Sequence, residues 1–217
     1  MQIQKTINDK TIAEQESRNV EDRSGLWTPS RFGRCFRFQY WTRSKEEPTN
    51  PPDISALKRF KLGNLIHNWV QSQMDCEKEV EVKLEDLIGY ADLVDEEYVA
   101  DIKSVSDWAY KYISRPDCDI KAEKYPNWLQ VGCYAVILKR PKTKLFFVNT
   151  KDIHKTCEFE LETLSLVDDI NKELSTLRDY WSAQKLPPAQ PRCYGGKECN
   201  YCAYMDKCFA LEGDKDA

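Results

Sequence analysis

The chain has 217 residues, 41% of them apolar and 31% charged, with a formal net charge of −4. These values are typical of a globular chain that buries its own hydrophobic core, and they show no overall basic excess of the kind that many nucleic-acid binders carry. Since no run of about 18 apolar residues occurs, we expect no membrane span.

The N-terminal segment, residues 1–24, is polar and lacks the apolar stretch of a secretory signal. We therefore expect a loosely held arm and a cytoplasmic protein, in the host cytoplasm if the chain is viral. The chain contains nine cysteines, an odd number. Because cytosolic thiols stay reduced, this content favours metal ligation of some cysteines over a disulfide framework.

The first predicted helices precede any strand. Thr28 is a cap residue and Pro29 suits the first helical position, so we predict a helix from there to about Thr42. The loop EEPTNPPD follows, and Asp53 is predicted to cap a long helix that ends near Met74.

The pattern then changes to the two-residue period of β-strands. VEVKL alternates, and LIGYADLV and YVADIKSV are predicted to form a hairpin that turns at DEE. Pro126 starts another predicted helix, which precedes two more strands, KLFFVNT and CEFELE. The amphipathic segment LSLVDDINKELSTLRDYWSAQ is a predicted helix, and LPPAQP separates it from a cysteine-rich tail. This order predicts one α/β (α+β) domain over 25–217, with a mixed sheet flanked by helices.

The main chemical candidates in the hairpin are Asp92, Asp101 and Lys103. Residues two apart in a strand point to the same face, so Asp101 and Lys103 share a face, and strand pairing can bring Asp92 beside Asp101. Adjacent carboxylates repel unless a cation lies between them, and Mg²⁺ or Mn²⁺ suits such an oxygen site. The ion would acidify a water for attack on a phosphodiester, while Lys103 holds that water or the developing negative charge.

Two further features fit this chemistry, although each also has a plain structural interpretation. His67 lies four residues after Gly63 in the long helix and is either a metal ligand or a structural histidine. Gln130 and Tyr134 lie four apart on one helix face and could order the site or contact a phosphate. For the hairpin, the plain alternative is a surface ion pair, but both acids stand in otherwise apolar strands.

Four motifs, taken in order, resemble those of the PD-(D/E)XK nuclease superfamily in its RecB-like branch: Gly63…His67, Asp92, Asp101-x-Lys103 and Gln130-x-x-x-Tyr134. The second acid is Asp here, where Glu is commoner. The resemblance implies a restriction-endonuclease-like core.

The same resemblance implies roles for these residues. The ligands of Mg²⁺ or Mn²⁺ would be His67, Asp92, Asp101 and the backbone carbonyl of Ile102. Lys103 would position the attacking water, and Gln130 and Tyr134 would order the site or the DNA.

The cysteines extend the resemblance. In iron–sulfur members of the branch, one cysteine precedes the nuclease core and three follow it as C-x2-C-x5-C. Cys35 resembles the first, and Cys199, Cys202 and Cys208 have the spacing of the other three. This is the pattern of the CRISPR-associated RecB-like nucleases, the Cas-four family, and it implies a [4Fe–4S] cluster. That cluster would join two distant segments into one lobe, namely 28–45 and 186–210.

A local zinc site formed by Cys193, Cys199, Cys202 and Cys208 stays open as the alternative. Four cysteine thiolates suit Zn²⁺ as well as an iron–sulfur cluster, so the residue types alone do not decide between them. In the cluster interpretation, Cys193 is a bystander.

The predicted function is a metal-dependent DNA nuclease. The resemblance implies exonuclease action on DNA ends, with single strands favoured, in CRISPR adaptation or in viral or host recombination and repair. Between Arg31 and Lys61 the chain carries eight basic and three acidic residues, and Arg31, Arg34 and Arg37 are predicted to contact DNA phosphates. Two alternatives remain: a non-catalytic DNA-binding protein with the cysteine site, and an adaptor subunit that needs a CRISPR-adaptation or recombination protein as partner.

Overall fold

The computed structural model describes residues 2–17 and 25–213, apart from the side chain of Glu212. Within these residues no helix is both long enough and apolar enough to cross a membrane. In chain order, the helices and strands are α1 (Ile3–Glu16), α2 (Phe36–Arg43), α3 (Ile54–Ser72), β1 (Glu77–Leu84), β2 (Leu87–Val94), β3 (Tyr98–Val105), α4 (Asp107–Ile113), α5 (Ile120–Glu123), α6 (Tyr125–Leu138), β4 (Lys142–Asn149), β5 (Thr156–Glu162), α7 (Val167–Ser182) and α8 (Met205–Gly213). Short 3₁₀ turns occupy Pro29–Arg31, Thr163–Leu166, Tyr194–Gly196 and Glu198–Tyr201.

The five strands form one sheet in the order β1-β2-β3-β4-β5. Neighbouring strands are antiparallel except β3 and β4, which are parallel, so the predicted mixed sheet is confirmed. The predicted β2–β3 hairpin is confirmed as well. Parallel strands need a long crossover connection, and here that connection contains α4, α5 and α6.

Helices cover both faces of the sheet. On one face Ile66 and Val70 of α3 pack against Ala100 and Ile102 of β3. On the other face, α6 and α7 form the larger core with Val99 and its neighbours. Because β3 alternates between the two cores, Asp101 and Lys103 point toward the α6 side, in phase with Val99.

The N-terminal segment differs from the loosely held arm that we expected. Residues Ile3–Glu16 form α1, which lies against α3. Asn8 Oδ1 accepts a hydrogen bond of 2.6 Å from Lys58, and Glu14 Oε2 lies 2.6 Å from Lys61 Nζ. Residues 1 and 18–24 of the expected arm lie outside the described part of the chain.

The predicted helix from Pro29 to Thr42 is interrupted. A 3₁₀ turn comes first, and α2 begins at Phe36. Between them Gly33 has φ +74°, and a Cβ there would lie 2.9 Å from Pro126 Cα. The interruption therefore follows from a left-handed backbone position packed against the start of α6, which only glycine occupies without strain.

Candidate metal and catalytic site

The site lies where β2 and β3 diverge. These two strands, both fully described, pair at Leu93↔Ala100 and Val94↔Val99. Just beyond those pairs Asp92 Oδ2 accepts a hydrogen bond of 2.7 Å from the backbone N–H of Ile102. The Asp92 carboxylate thus accepts the hydrogen bond that a backbone carbonyl of the neighbouring strand would otherwise accept. It is directed into the gap between the diverging strands β2 and β3, which we call the fork.

The long helix brings His67 to the same carboxylate. Its Nε2 lies 2.7 Å from Asp92 Oδ2. Burial lowers the pKa of His67, but the hydrogen bond to Asp92 and the Asp92 charge outweigh burial, so the pKa is raised overall. The N-terminus of this helix is held by Asp53, whose side chain accepts from the backbone N–H of Ala56 at 2.7 Å.

Asp101 and Lys103 form a pair on the neighbouring strand. Asp101 is 1% exposed, and its Oδ1 accepts a hydrogen bond of 2.6 Å from Lys103 Nζ. Burial raises the pKa of Asp101 to about 6, with Lys103 opposing the rise and Asp92 adding to it. Burial lowers the pKa of Lys103, but the negative charges of Asp101 and Asp92 outweigh it, so the amine stays protonated.

Gln130 and Tyr134 lie beneath the fork, on α6. Both are buried, and their side chains lie close to each other on one face of the helix. Tyr134 packs directly under Gly89 of β2, where an added Cβ would lie 2.6 Å from the tyrosine oxygen. Burial raises the pKa of Tyr134, and the charges of Asp101 and Asp92 raise it further, so the phenol stays protonated. The pair is positioned to support the strands from below.

Glu79 belongs to the site and was missed by the sequence analysis. It lies between the pairs Lys78↔Leu93 and Val80↔Ala91 of the β1–β2 register and adopts φ +50°, a left-handed conformation that is unusual for glutamate. Its Oε1 lies 3.7 Å from His67 Nδ1. Gln71 Nε2 donates to Glu79 Oε1 at 2.6 Å and to the Asp92 carbonyl at 3.1 Å. The signal that could have found this contact is the four-residue spacing of His67 and Gln71 on α3.

The donor set suits a hard divalent cation. His67, Glu79 and Asp92 each offer one ligand atom, and the three atoms lie within 4.8 Å of one another. Asp101 Oδ2 is buried with no hydrogen-bond partner among the described residues. A cation beside Asp92 and Asp101 would satisfy that oxygen, and carboxylates with one imidazole suit Mg²⁺ or Mn²⁺.

A second site lies in the segments 28–45 and 186–210, which we call the cysteine lobe. Cys35, Cys199, Cys202 and Cys208 line one cavity together with Phe38 and Trp41 among others. Cys193 does not line it, and its thiol lies near Glu198 and Arg34. The structure therefore brings together the four cysteines that the resemblance selects.

Two buried carboxylates close the cysteine lobe. Glu198 accepts hydrogen bonds from the backbone N–H groups of Cys35 and Arg192 at 3.0 and 2.9 Å and from Arg34 Nε at 3.1 Å. Glu173 on α7 accepts from Gly33 N–H and forms an ion pair of 2.7 Å with Arg192. The two segments are thus joined by protein groups alone.

The arginines predicted to contact DNA are placed differently from one another. Arg37 is buried, and its guanidinium donates to the Pro187 carbonyl at 2.8 Å and to Cys208 Sγ at 3.3 Å. This placement contradicts the prediction for Arg37, because its donors are directed into the lobe. Arg34 is likewise held by Glu198, whereas Arg31 is half-buried and its role in DNA contact stays a prediction.

Comparison with known proteins identifies the fold. No protein-family model and no curated protein matches the chain. The solved structure of SSO0001 matches with 20% identity and a TM-score of 0.54, over 96% of each chain. The alkaline exonuclease LHK-Exo from Laribacter hongkongensis matches with 11% identity and a TM-score of 0.52, over 81% of this chain and 93% of that one. LHK-Exo in complex with dAMP matches with 13% identity and a TM-score of 0.50, over 75% and 90%. The chain thus has a restriction-endonuclease-like nuclease fold.

Proposed function

We propose that the protein is a deoxyribonuclease that hydrolyses phosphodiester bonds at DNA ends and depends on Mg²⁺ or Mn²⁺. The observation that carries the proposal is the fork between β2 and β3, where His67 contacts Asp92 and the Asp101–Lys103 pair lies on the adjacent strand. The fold that the chain shares with a solved alkaline exonuclease supports a nuclease, and the dAMP bound to that neighbour supports a nucleotide substrate.

Each residue of the site has its own role in the proposed reaction. We assign Asp92, Asp101, His67 and the Ile102 carbonyl as metal ligands. When bound, the ion would lower the pKa of a water and stabilise the charge that develops on the phosphodiester. The protonated Lys103, already held by Asp101, would orient the attacking water or a phosphate oxygen. Gln130 and Tyr134 would keep the fork in register from beneath.

For the cysteine lobe we propose a [4Fe–4S] cluster bound by Cys35, Cys199, Cys202 and Cys208. The grouping of Cys35 with the three cysteines of the tail around one cavity supports this ligand set, and the position of Cys193 outside the cavity disfavours the local zinc site.

The proposal also covers the cell compartment, the form of the DNA substrate and the pathway of the reaction. None of the nine cysteines, all of which lie in the described part of the chain, forms a disulfide, which supports a reducing compartment such as the cytoplasm. The ordered nuclease motifs and the cysteine pattern support single-stranded DNA ends as substrate, in CRISPR adaptation or in recombination and repair. Partner proteins of either process would be found by affinity capture from the native host, with mass spectrometry of the proteins retained.

The nuclease proposal is tested with Lys103→Ala. We expect the variant to bind an end-labelled single strand as the unaltered protein does but to show no cleavage with Mg²⁺ or Mn²⁺. The control is Lys142→Ala on β4, a lysine paired with Glu160 and aligned with Tyr98 at the other end of β3, which should cleave normally. Metal-dependent cutting by Lys103→Ala at the unaltered rate would contradict the assignment.

The cluster is tested by anaerobic purification. The protein should be brown, with a broad absorption near 400 nm and about four irons and four sulfides per chain. Cys35→Ser should lose this absorption, while Cys193→Ser should keep it. A colourless protein with one zinc per chain would support the zinc alternative instead.

A further inference from the structure

Helix α4 carries two aromatic rings on the surface that belong to neither face of the core. Trp108 is 78% exposed and Tyr112 is 39% exposed. The rings are stacked, with centroids 6.1 Å apart and planes inclined by 8°. The guanidinium carbon of Arg115 lies 5.9 Å from the centroid of the Tyr112 ring. The result is a short ladder of flat groups with an open end at Trp108.

The ladder is attached directly to the strand that carries the catalytic pair. Ser106 follows β3 and caps α4 by accepting from the backbone N–H of Ala109 at 3.2 Å. Because five residues span at most about 18 Å, the Cα of Trp108 lies within that distance of the Cα of Lys103. Any polymer bound at Lys103 therefore passes within a few monomers of this aromatic surface.

Helix α4 is anchored to the rest of the sheet. Asp107 Oδ1 accepts a hydrogen bond of 3.0 Å from Asn149 at the end of β4. On the next turn Tyr110 donates its hydroxyl to the Thr156 carbonyl at the start of β5, at 3.1 Å. The exposed rings thus stand on a helix held at two points, and they are arranged before any ligand arrives.

We propose that Trp108 and Tyr112 form a stacking platform for a nucleobase of the single strand whose phosphodiester lies in the fork. This inference rests on the proposed nuclease function and deepens it by assigning the unpaired part of the substrate. Aromatic side chains stack on any base because every base has a flat π-face, so the contact would be independent of sequence. Within a duplex those faces are already stacked on neighbouring base pairs, and the platform therefore favours unpaired ends.

The charges on α4 also suit a nucleic acid strand. Lys111 on α4 and Arg115 just after its end are both exposed, and each is paired with one acid, Asp107 or Asp117. These cations could turn to a phosphate while the rings hold the base, so that one nucleotide is contacted at both ends.

The test measures DNA binding in the Lys103→Ala background, where cleavage does not interfere. Fluorescence anisotropy of a labelled 20-mer of thymidine gives the affinity in each variant. Trp108→Ala should weaken binding about five- to hundred-fold, the range found when a stacking aromatic is removed. The matched control is Leu164→Ala, an equally exposed apolar residue in the turn after β5, which should bind as the parent does.

Two conservative variants separate base stacking from simple apolar contact. Trp108→Phe keeps an aromatic face and should retain most of the affinity, whereas Trp108→Leu keeps apolar area and should lose it as Trp108→Ala does. Fully paired DNA with blunt ends should respond much less to either change. Thermal melting of each variant establishes that the fold is intact.

The proposal is overturned if Trp108→Ala binds the single strand like its parent, or if Trp108→Leu does. The second outcome would show that apolar area, rather than stacking on an aromatic face, holds the strand. Failure of the nuclease proposal is seen separately, as an absence of metal-dependent cutting by the unaltered protein. A protein that binds no oligonucleotide at all would overturn both.

Discussion

Lys103 Nζ lies 2.6 Å from Asp101 Oδ1, while the other oxygen of that buried carboxylate has no hydrogen-bond partner within the described residues. Protein groups therefore provide a hydrogen-bond partner for only one of the two oxygens of the Asp101 carboxylate. An unsatisfied oxygen in the interior costs free energy, and a carboxyl so placed takes up a proton more readily than a carboxyl in water.

The first prediction concerns the stability of the metal-free protein. Burial raises the pKa of Asp101 to about 6 from 3.8, so the folded state holds a proton that the unfolded chain loses. The contribution of Asp101 to the unfolding free energy should therefore be highest below about pH 4, fall as the pH rises toward 6, and stay lower above it. Asp101→Asn should lack this decline, which amounts to on the order of 3 kcal/mol.

Urea denaturation in EDTA between pH 4 and 8 measures this difference. Asp117→Asn, at an exposed aspartate, should follow the unaltered protein at every pH. A difference between Asp101→Asn and the unaltered protein that is constant with pH would show that Asp101 does not titrate in this window.

The second prediction concerns metal affinity. A divalent ion must displace the proton on Asp101, so the affinity for Mn²⁺ should rise as the pH increases through about 6 and level off only once His67, whose pKa is raised from 6.5, is deprotonated as well. His67 changes the Mn²⁺ affinity in the same direction, because its raised pKa keeps the imidazole protonated to a higher pH. Isothermal titration calorimetry in two buffers of different ionisation enthalpy should detect proton release near pH 5.5. Equal Mn²⁺ affinities at pH 5 and pH 7 would refute the prediction.

The third prediction concerns Glu79. Its carboxylate faces His67 Nδ1 while the other imidazole nitrogen faces Asp92, so it can hold the ring in the orientation that a metal ligand needs. Glu79→Gln removes that charge and should weaken Mn²⁺ binding about ten-fold. Glu77→Gln, two residues earlier on the same strand, should leave the affinity unchanged. If both variants bind Mn²⁺ equally well, the Glu79 contact has no part in the site.

The fourth prediction concerns the close contact beneath the fork. Gly89→Ala would place a methyl group 2.6 Å from the Tyr134 oxygen, and the buried ring must shift. Such overpacking should lower the unfolding free energy by about 1–3 kcal/mol. Adding Tyr134→Leu should restore part of the loss, because the shorter side chain leaves room. Gly213→Ala, with nothing within 4 Å, is the control. An unchanged urea midpoint for Gly89→Ala would show that the ring moves freely.

The fifth prediction concerns the cysteine lobe after treatment with a chelator that removes any metal bound there. Since Glu198 and Glu173 join the two segments through protein groups, the chelated protein should still resist limited proteolysis between residues 186 and 210. Glu198→Gln breaks a buried charged network and should lower stability by about 3 kcal/mol.

In the Glu198→Gln variant, the protease should cut between residues 186 and 210 once a chelator has removed any bound metal. Glu85→Gln, at an exposed glutamate, should behave like the unaltered protein. Rapid cleavage of the chelated unaltered protein would show that the metal, rather than Glu198, closes the lobe.

The sequence predicted the parts of the fold that follow from local periodicity. The strand alternation placed Asp101 and Lys103 on one face, and the helical spacing placed Gln130 and Tyr134 together. Contacts that depend on tertiary geometry were missed. The left-handed backbone at Glu79 does not show in an alternating segment, and the inward turn of Arg37 follows from packing against a distant segment rather than from its basic surroundings.

The two short helices α4 and α5 likewise depend on tertiary contacts that local sequence patterns do not predict. Ser106 and Asp119 are ordinary cap residues that precede α4 and α5, but helices of this length depend on anchors such as Asn149, which lies in another strand. The sequence also did not predict the extent of α1, because this polar segment has no apolar face. The helix is held instead by pairs with Lys58 and Lys61.

The link between Cys35 and Glu198 spans 163 residues, and this separation sets the order of assembly during synthesis. At 5–20 residues per second, the N-terminal half of the cysteine lobe waits roughly 10–30 s before its C-terminal half is made. Through that interval Phe38 and Trp41 lack the Tyr204 ring against which they pack in the finished protein. Any group that all four thiols hold can therefore be completed only once translation has passed Cys208, so this lobe matures after the sheet and its flanking helices have been made.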